Sequence, residues 1–320
     1  MISVCLCTHN PSPVVLDRTV AALAVQRFPA TEWEMIAIDN ASPTPVNPGA
    51  FRALRGIVPV ELVREETVGL THARRRALGV DRGEILVFVD DDNVLDSGYL
   101  GAVKDFLGSH AMAGAVGGRG VARSDVALPE WFDLVSDALA VRDLGERPIR
   151  FDRDAPCGAG LAVRREALVD AFGWPPLLLA DRQGSRLSSG GDTELCRRMQ
   201  LSGWELWYAP TLRFDHWLAP GRFEVAYLES LHEGFGEARA SMELYDSPDL
   251  ENRRLLSLRR ARYEWSKSRA LGLEAAKADG VRRRLDLTFQ AAFARGLSRS
   301  LRRVAFGPAV WEPLGERWGK

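Results

Sequence analysis

The 320-residue chain has a formal net charge of −1 and 46% hydrophobic residues. That is enough apolar content for a sizeable core and too little net charge for a globally basic nucleic-acid binder. Its four cysteines, Cys5, Cys7, Cys157 and Cys196, contain no CxxC pair, so buried reduced thiols are expected rather than a disulfide or a zinc site. No apolar run reaches the roughly 18 residues that a membrane-spanning helix needs, and the N-terminus lacks the basic-then-apolar pattern of a signal peptide, which makes the cytoplasm the default expectation.

The first elements alternate in type. Residues 2–7 (ISVCLC) are a short apolar run ending at Thr8-His9-Asn10-Pro11, and a helix is expected over 14–25. Strands follow over 33–38, which ends in Asp39-Asn40-Ala41-Ser42, and over 60–63; then come a helix opened by Gly69 and running to 78, and a strand over 85–89. Such alternation predicts an α/β domain with a mainly parallel sheet. In open parallel sheets ligands sit outside the carboxyl ends of the strands. Thr8, Asn10, Asp39 and Asp90 to Asp92 are therefore expected to share one crevice. The GxGxxG fingerprint is missing after the first strand, which argues against a dinucleotide cofactor.

The strand at 85–89 runs directly into three carboxylates, ILVFVDDDN. An arbitrary Asp-rich loop is usually only solvated, but carboxylates at the mouth of a parallel sheet repel one another unless positive charge sits among them. Hard oxygen ligands at this spacing suit Mg²⁺ or Mn²⁺, ions that keep several waters and bind substrate phosphates. Two chemistries place Asp-x-Asp after an apolar strand. In nucleotide-sugar glycosyltransfer the pair holds a metal that bridges a diphosphate. In haloacid-dehalogenase-type phosphatases the pattern DxDx[TV], matched by Asp90-Asp91-Asp92-Asn93-Val94, supplies Asp90 as nucleophile and Asp92 as acid/base. Three strands precede the motif here, and neither a downstream lysine nor a later paired-Asp strand end is evident, which weighs against the phosphatase.

Further along, a helix is expected over 99–107 and a strand over 115–120, while 124–154 is irregular. Residues 154–168 (DAPCGAGLAVRREAL) bound an apolar stretch with small residues and then start a helix. The segment GGDTEL opens another helix, with Asp192 and Glu194 in its first turn and Gly203 closing it. Glu194 is expected on the helix surface or as a partner of the helix dipole. Arg182, in the preceding loop, is either solvated or a phosphate or acceptor contact. A strand over 205–208 and Pro210 follow. Trp131, Trp174, Trp204, Trp207 and Trp217 read as core, with Trp217, beside His216, best placed to stack on a sugar. Helices are expected over 223–239, 253–276 and 281–304, with a boundary near Ser247-Pro248. From Glu251 to Lys320 there are 17 Lys/Arg against 7 Asp/Glu, so this tail is basic and the rest of the chain acidic. Its Arg pairs alternate with Leu, Phe and Ala. That pattern suits a surface for anionic lipid, and equally a helical appendage with a solvated basic face or a self-association surface.

Thr8-His9-Asn10, Ile38-Asp39-Asn40-Ala41-Ser42, Gly69-Leu70-Thr71-His72-Ala73-Arg74, the triple Asp and GGDTEL occur in that order. With them the sequence resembles family 2 glycosyltransferases of the GT-A fold over about residues 1–235. The resemblance implies a mainly parallel, Rossmann-like sheet flanked by helices. It assigns 1–246 to the transferase domain, with a nucleotide half at about 1–120 and an acceptor half at about 121–246, and 247–320 to a basic helical appendage. It also implies that Asp39 holds the nucleobase or ribose with Thr8 and Asn10 alongside, that Arg74 faces the nucleotide, and that Asp92 carries the metal with Asp90 nearer the ribose and donor sugar. Gly158 and Gly160 let the backbone approach that sugar, Asp192 is the general base, and His216 contacts metal or diphosphate. Gly191 stands where the family has a Glu. The implied reaction is metal-dependent, inverting transfer of a sugar from a nucleotide-diphosphate sugar to a saccharide or lipid-linked acceptor, in polysaccharide or glycoconjugate synthesis. The QxxRW motif of processive members is missing, so one addition per encounter is expected. A non-catalytic nucleotide-sugar binding protein is the other alternative, and retention of Asp192 argues against it.

Overall fold

The computed structural model describes residues 1–174, 177–179, 190–245 and 253–306; Arg182 and the boundary expected near Ser247-Pro248 lie outside them. The chain divides into two compact units, the first made of Met1–Asp125, Leu139–Gly173 and Leu195–Leu218, the second of Val126–Ala138, Trp174–Glu194 and Ala219–Lys320.

The first unit is built on strands β1 (Ile2–Thr8), β2 (Trp33–Asn40), β3 (Val60–Glu65), β4 (Ile85–Asp90), β5 (Asn93–Leu95), β6 (Ala113–Arg123), β7 (Ile149–Phe151), β8 (Leu161–Arg164) and β9 (Glu205–Trp217). They form one sheet in the order β3-β2-β1-β4-β8-β6-β9-β5, with β7 paired to β9. β3, β2, β1 and β4 are parallel throughout. β1 and β2 are buried along their whole length, as strands covered on both faces are. Beyond β4 the sheet is mixed. β8 is antiparallel to both β4 and β6, β6 and β9 are parallel, and β5 and β7 run against β9. The parallel expectation rests on helical crossovers, and in this second half most strands follow one another through loops, so the chain can return antiparallel.

Helix α1 (Pro13–Ala24) starts with Pro in its first turn and buries Leu16, Thr19, Val20 and Leu23, the i, i+3, i+4, i+7 stripe of an amphipathic helix. α2 (Leu70–Val80) buries Thr71, Ala73, Arg74 and Ala77. α3 (Tyr99–Ser109) buries Tyr99, Leu100, Val103, Phe106 and Leu107, and α4 (Arg165–Phe172) follows β8. The α1 and α3 stripes join Val4, Leu6, Met35, Val87 and Val89 in the main core, where each large side chain contributes about 1.5–3 kcal/mol by leaving water. β9 runs on past Pro210 as one strand to Trp217. The β6–β9 register slips between Gly117 and Arg119, so Pro210 falls in a bulge and no ladder hydrogen bond is asked of it. At the same place a Cβ on Gly118 would overlap the Leu212 carbonyl.

Helix α5 (Gly191–Leu201) begins in the second unit and ends in the first. The second unit also holds α6 (Val225–Met242), α7 (Arg253–Lys277) and α8 (Val281–Phe306), with α8 packed on both of the others. Small residues make the α6–α8 crossing close: a Cβ on Gly236 would overlap the Phe293 carbonyl, and one on Gly296 the Glu233 carbonyl. Ala240, Ala261, Leu297 and Leu301 form a core there.

Candidate active site

The strand order reverses between β1 and β4: the chain moves outward from β1 through β2 to β3, then crosses back to the other side of β1. Such a switch point opens a crevice at the carboxyl ends of the two strands. Cys7 lies opposite Asp90, and Thr8 opposite Asp39, so the ends of β1, β2 and β4 line up there as expected.

The triple-Asp loop is held from several directions. Thr8 Oγ1 donates to Asp91 Oδ2, and Thr19 Oγ1 on α1 donates to the Asp91 carbonyl at 2.9 Å. Asn93, fully buried, accepts from the Asp90 N–H at 3.1 Å and donates to Asp92 Oδ1 at 3.0 Å. β5 pairs with β9 so that Asn93 faces His216. His216 Nε2 thereby comes within 3.4 Å of Asp92 Oδ1, while the Trp217 N–H donates to the Asp92 carbonyl at 2.8 Å. Asp91, which the motif alone left without a role, is the loop's anchor on β1.

Burial first, and then the neighbouring Asp92, push the Asp90 carboxyl up to about 7, against the opposing pull of Arg74 and His216. Arg74 is 1% exposed, lies 5.3 Å over the Phe88 ring, and has a buried Nε without a hydrogen-bond partner. The buried Nδ1 of His216 also lacks one. Buried polar atoms are nearly always paired, so these two stand out among the groups around the carboxylate loop. Burial, then Asp90, raises the Cys7 thiol to about 12 in spite of Arg74; Cys5 is raised too, mainly by burial. No two of the four cysteines are joined in a disulfide; Cys5, Cys7 and Cys196 are buried and Cys157 is partly exposed.

Among the described residues no three His, Cys, Asp or Glu side chains gather as a ready-made metal cage. Asp92 and His216 offer two ligands side by side, within an excess of carboxylate that a divalent cation would balance. That set fits Mg²⁺ or Mn²⁺, which are typically held by one or two protein groups with phosphates and waters completing the shell.

On the β2 side, Asp39 accepts from the Ser42 N–H and the Val46 N–H, both at 3.1 Å, and from Arg64 Nη1 at 2.9 Å. Burial alone would raise its carboxyl, but the hydrogen bonds from Ser42 and Val46 and the Arg64 guanidinium outweigh it and leave the group below its ordinary value. The turn places Ala41 at φ +53° and Asn10 at φ +52°, with the Asn10 N–H donating to Ser42 Oγ at 2.8 Å. Asn40 bridges to the start of α2, accepting from the Gly69 N–H at 2.7 Å and donating to the Thr67 carbonyl at 2.6 Å.

Gly158 is buried in the loop before β8. Gly160 sits at φ +62°, where a Cβ would stand 2.8 Å from Tyr99 Oη; that hydroxyl donates to the Gly160 carbonyl. In the second unit Asp192 occupies the first turn of α5 and accepts from the Thr193 N–H at 2.9 Å. Gly190, just before it, has φ +107°, a left-handed conformation that favours glycine.

Glu194 keeps its place in the first turn of α5 but is not on the helix surface: it is 0% exposed and accepts from the Leu178 and Leu179 N–H groups at 2.7 and 2.8 Å and from Tyr245 Oη. On Trp217 the Arg18 guanidinium lies 3.8 Å over one face of the ring. The contributions of Thr19, Asn93, Arg64 and Tyr99 were not anticipated. Only Asn93, adjoining the acidic triplet, carried a signal that could have found it.

A half-parallel, half-mixed sheet that presents a carboxylate loop at its switch point is the GT-A arrangement of glycosyltransferases. Residues 3–172 match glycosyl transferase family 2, and the chain belongs to that family; it is a glycosyltransferase. Solved structures of similar fold include TarS residues 1–349 from S. aureus, with 15% identity, TM-score 0.51, and coverage of 100% of this chain and 92% of that one. Another is the mannosyltransferase PcManGT from Pyrobaculum calidifontis, in complex with GDP-Man and Mn²⁺, with 19% identity, TM-score 0.62 and coverage of 94% and 86%. A third is GalNAc-T7 with UDP, GalNAc and Mn²⁺, with 15% identity, TM-score 0.53 and coverage of 76% and 51%. No curated protein sequence matches the chain.

Proposed function

We propose that this enzyme moves one sugar from a nucleotide-diphosphate sugar to an acceptor hydroxyl, with inversion and with the help of Mg²⁺ or Mn²⁺. The observation that carries the reading is the approach of Asp92 to His216 at 3.4 Å, at the end of a strand where burial and the Asp92 charge push the Asp90 carboxyl up to about 7. Family membership and neighbours solved with UDP-GlcNAc or with GDP-Man and Mn²⁺ support it. Asp92 and His216 would hold the cation, which when bound neutralises charge on the departing diphosphate. Asp39, Thr8 and Asn10 would bound the base and ribose, and Arg74, cationic and partly unsatisfied, would face the phosphates. Gly158 and Gly160 would leave room for the donor sugar. Asp192 would take the proton from the acceptor hydroxyl as that oxygen attacks from the face opposite the leaving group. In domain terms, 1–246 would be the transferase and 247–320 an appendage, with the acceptor a saccharide or a lipid-linked glycan in polysaccharide or glycoconjugate synthesis. A phosphatase built on Asp90 is disfavoured by the family match.

Calorimetry with UDP, GDP and dTDP, each with and without Mn²⁺, tests this. One nucleotide is expected to bind in a metal-dependent way, and Asp92→Ala to abolish that dependence. Metal-independent binding, or an Asp92→Ala variant that behaves as the parent does, would refute the assignment.

A further inference from the structure

The basic residues of α7 and α8 fall on faces of different character. The α8 cations that face α6 are matched: Arg295 pairs with Glu233 at 3.1 Å, Arg299 with Glu237 at 3.0 Å and Arg303 with Glu237 at 3.3 Å. α7 differs. Its buried positions Ala261, Glu264, Ser268 and Ala275 recur at i, i+3, i+7 and i+14, so they form one stripe. Ser268 and Ala261 on that stripe hydrogen-bond α8, through Ser268 Oγ to the Ala291 carbonyl and Ser298 Oγ to the Ala261 carbonyl, both 2.8 Å. At 100° per residue, Arg259, Arg262, Arg269 and Lys277 then project away from the bundle, and Lys267 stands about 90° to one side of the stripe. All five are exposed and make no ion pair among the described residues. The acid among them, Glu274, pairs with Arg283 at 3.3 Å.

Large apolar side chains are interleaved with these cations. Leu256 is 60% exposed, Tyr263 64%, Trp265 46% and Leu273 64%, and Leu256 and Leu273 stand about 26 Å apart along the axis. A face that merely dissolves in water gains nothing from exposing four such residues on one helix.

We propose that the outward face of α7 docks on an anionic lipid bilayer. Unmatched cations meet acidic headgroups, Tyr263 suits the interfacial zone where amphipathic rings settle, and Leu256 and Leu273 reach the acyl boundary. Nucleic acid would complement the charge but offers nothing to the leucines. A second copy would face like charge at every register. The inference is independent of the transfer reaction.

Co-sedimentation of the full chain with vesicles tests it. Binding is expected to phosphatidylcholine vesicles carrying about 30% phosphatidylglycerol and not to pure phosphatidylcholine, and to fall steeply from about 0.1 to about 0.5 M salt as charge is screened. Arg259→Gln/Arg262→Gln/Lys267→Gln/Arg269→Gln is expected to lower the bound fraction about tenfold or more, since each cation near the surface adds to adsorption. Tyr263→Ser/Leu273→Ser should weaken binding with the charge intact, and Arg52→Gln/Arg55→Gln, on the first unit, should not. Circular dichroism melts of each variant exclude unfolding as the cause. Equal binding to neutral vesicles, no binding at all, or binding that survives both α7 variants overturns the proposal. So does a dimer in sedimentation velocity that Leu273→Ser dissolves without any vesicle binding, or retention of duplex DNA in place of vesicles.

Discussion

Asp90, Asp91 and Asp92 are adjacent in sequence, yet their surroundings give them three different tasks. Asp91 receives Thr8 and shapes the loop, Asp92 faces His216, and Asp90 takes the full effect of burial and of its neighbour's charge. In the metal-free protein Asp90 favours its neutral form below about 7, whereas a divalent cation favours the carboxylate. Mn²⁺ affinity measured by calorimetry is therefore expected to rise, by roughly tenfold, between about pH 6 and about pH 8, and Asp90→Asn should flatten that rise. Asp39 has the opposite sign. Its folded carboxyl lies below the ordinary value of 3.8, so its stabilisation is present above that value and is lost as pH falls through the lower, folded one. Asp39→Ala strands two N–H groups and the Arg64 guanidinium and is expected to cost about 1–3 kcal/mol near neutral pH. In thermal melts the gap from the parent should narrow below about pH 4; a constant gap would mean that Asp39 is not acting through its charge.

Elements hold these residues where the backbone is asked for something particular. Gly160 combines φ +62° with a Tyr99 hydroxyl 2.8 Å from where its Cβ would be. Gly160→Ala is expected to destabilise by about 1–3 kcal/mol and, through displacement of the loop between Gly158 and β8, to weaken donor binding as well. In the second unit Gly236→Ala or Gly296→Ala would drive a methyl into a facing backbone carbonyl. Separation of α6 from α8 should follow, read as a lower denaturant midpoint and as faster amide exchange along both helices. Legibility in the sequence varied by element for physical reasons. The central strands were readable as short unbroken apolar runs with polar ends, and α1 to α3 because their buried residues recur at helical spacing. The continuity of β9 through Pro210 was not, because the bulge that accommodates the proline depends on β6, and the antiparallel β5, β7 and β8 are too short for a period to show.

For the whole molecule, a glycosyltransferase of family 2 with a basic helical tail and no QxxRW motif is expected to add one sugar per encounter. Intact-mass analysis of an acceptor panel should show a single increment, and a ladder of products would contradict it. A bound nucleotide with Mn²⁺ at 100 times its dissociation constant should stabilise the fold by about 2.7 kcal/mol, visible as a raised unfolding temperature in the parent and not in Asp92→Ala. The sequence by itself determined the α/β class, the polar endings of β1, β2 and β4, and the order of motifs that marks the family, because all of these follow from local periodicity and from chain order. The tertiary structure decided the rest. The pairing of His216 with Asp92, the anchoring of Asp91 by Thr8, the burial of Glu194 and the pairing of Arg295, Arg299 and Arg303 with α6 glutamates all join residues distant in sequence. Such contacts are set by strand register and helix packing, about which local composition carries no information.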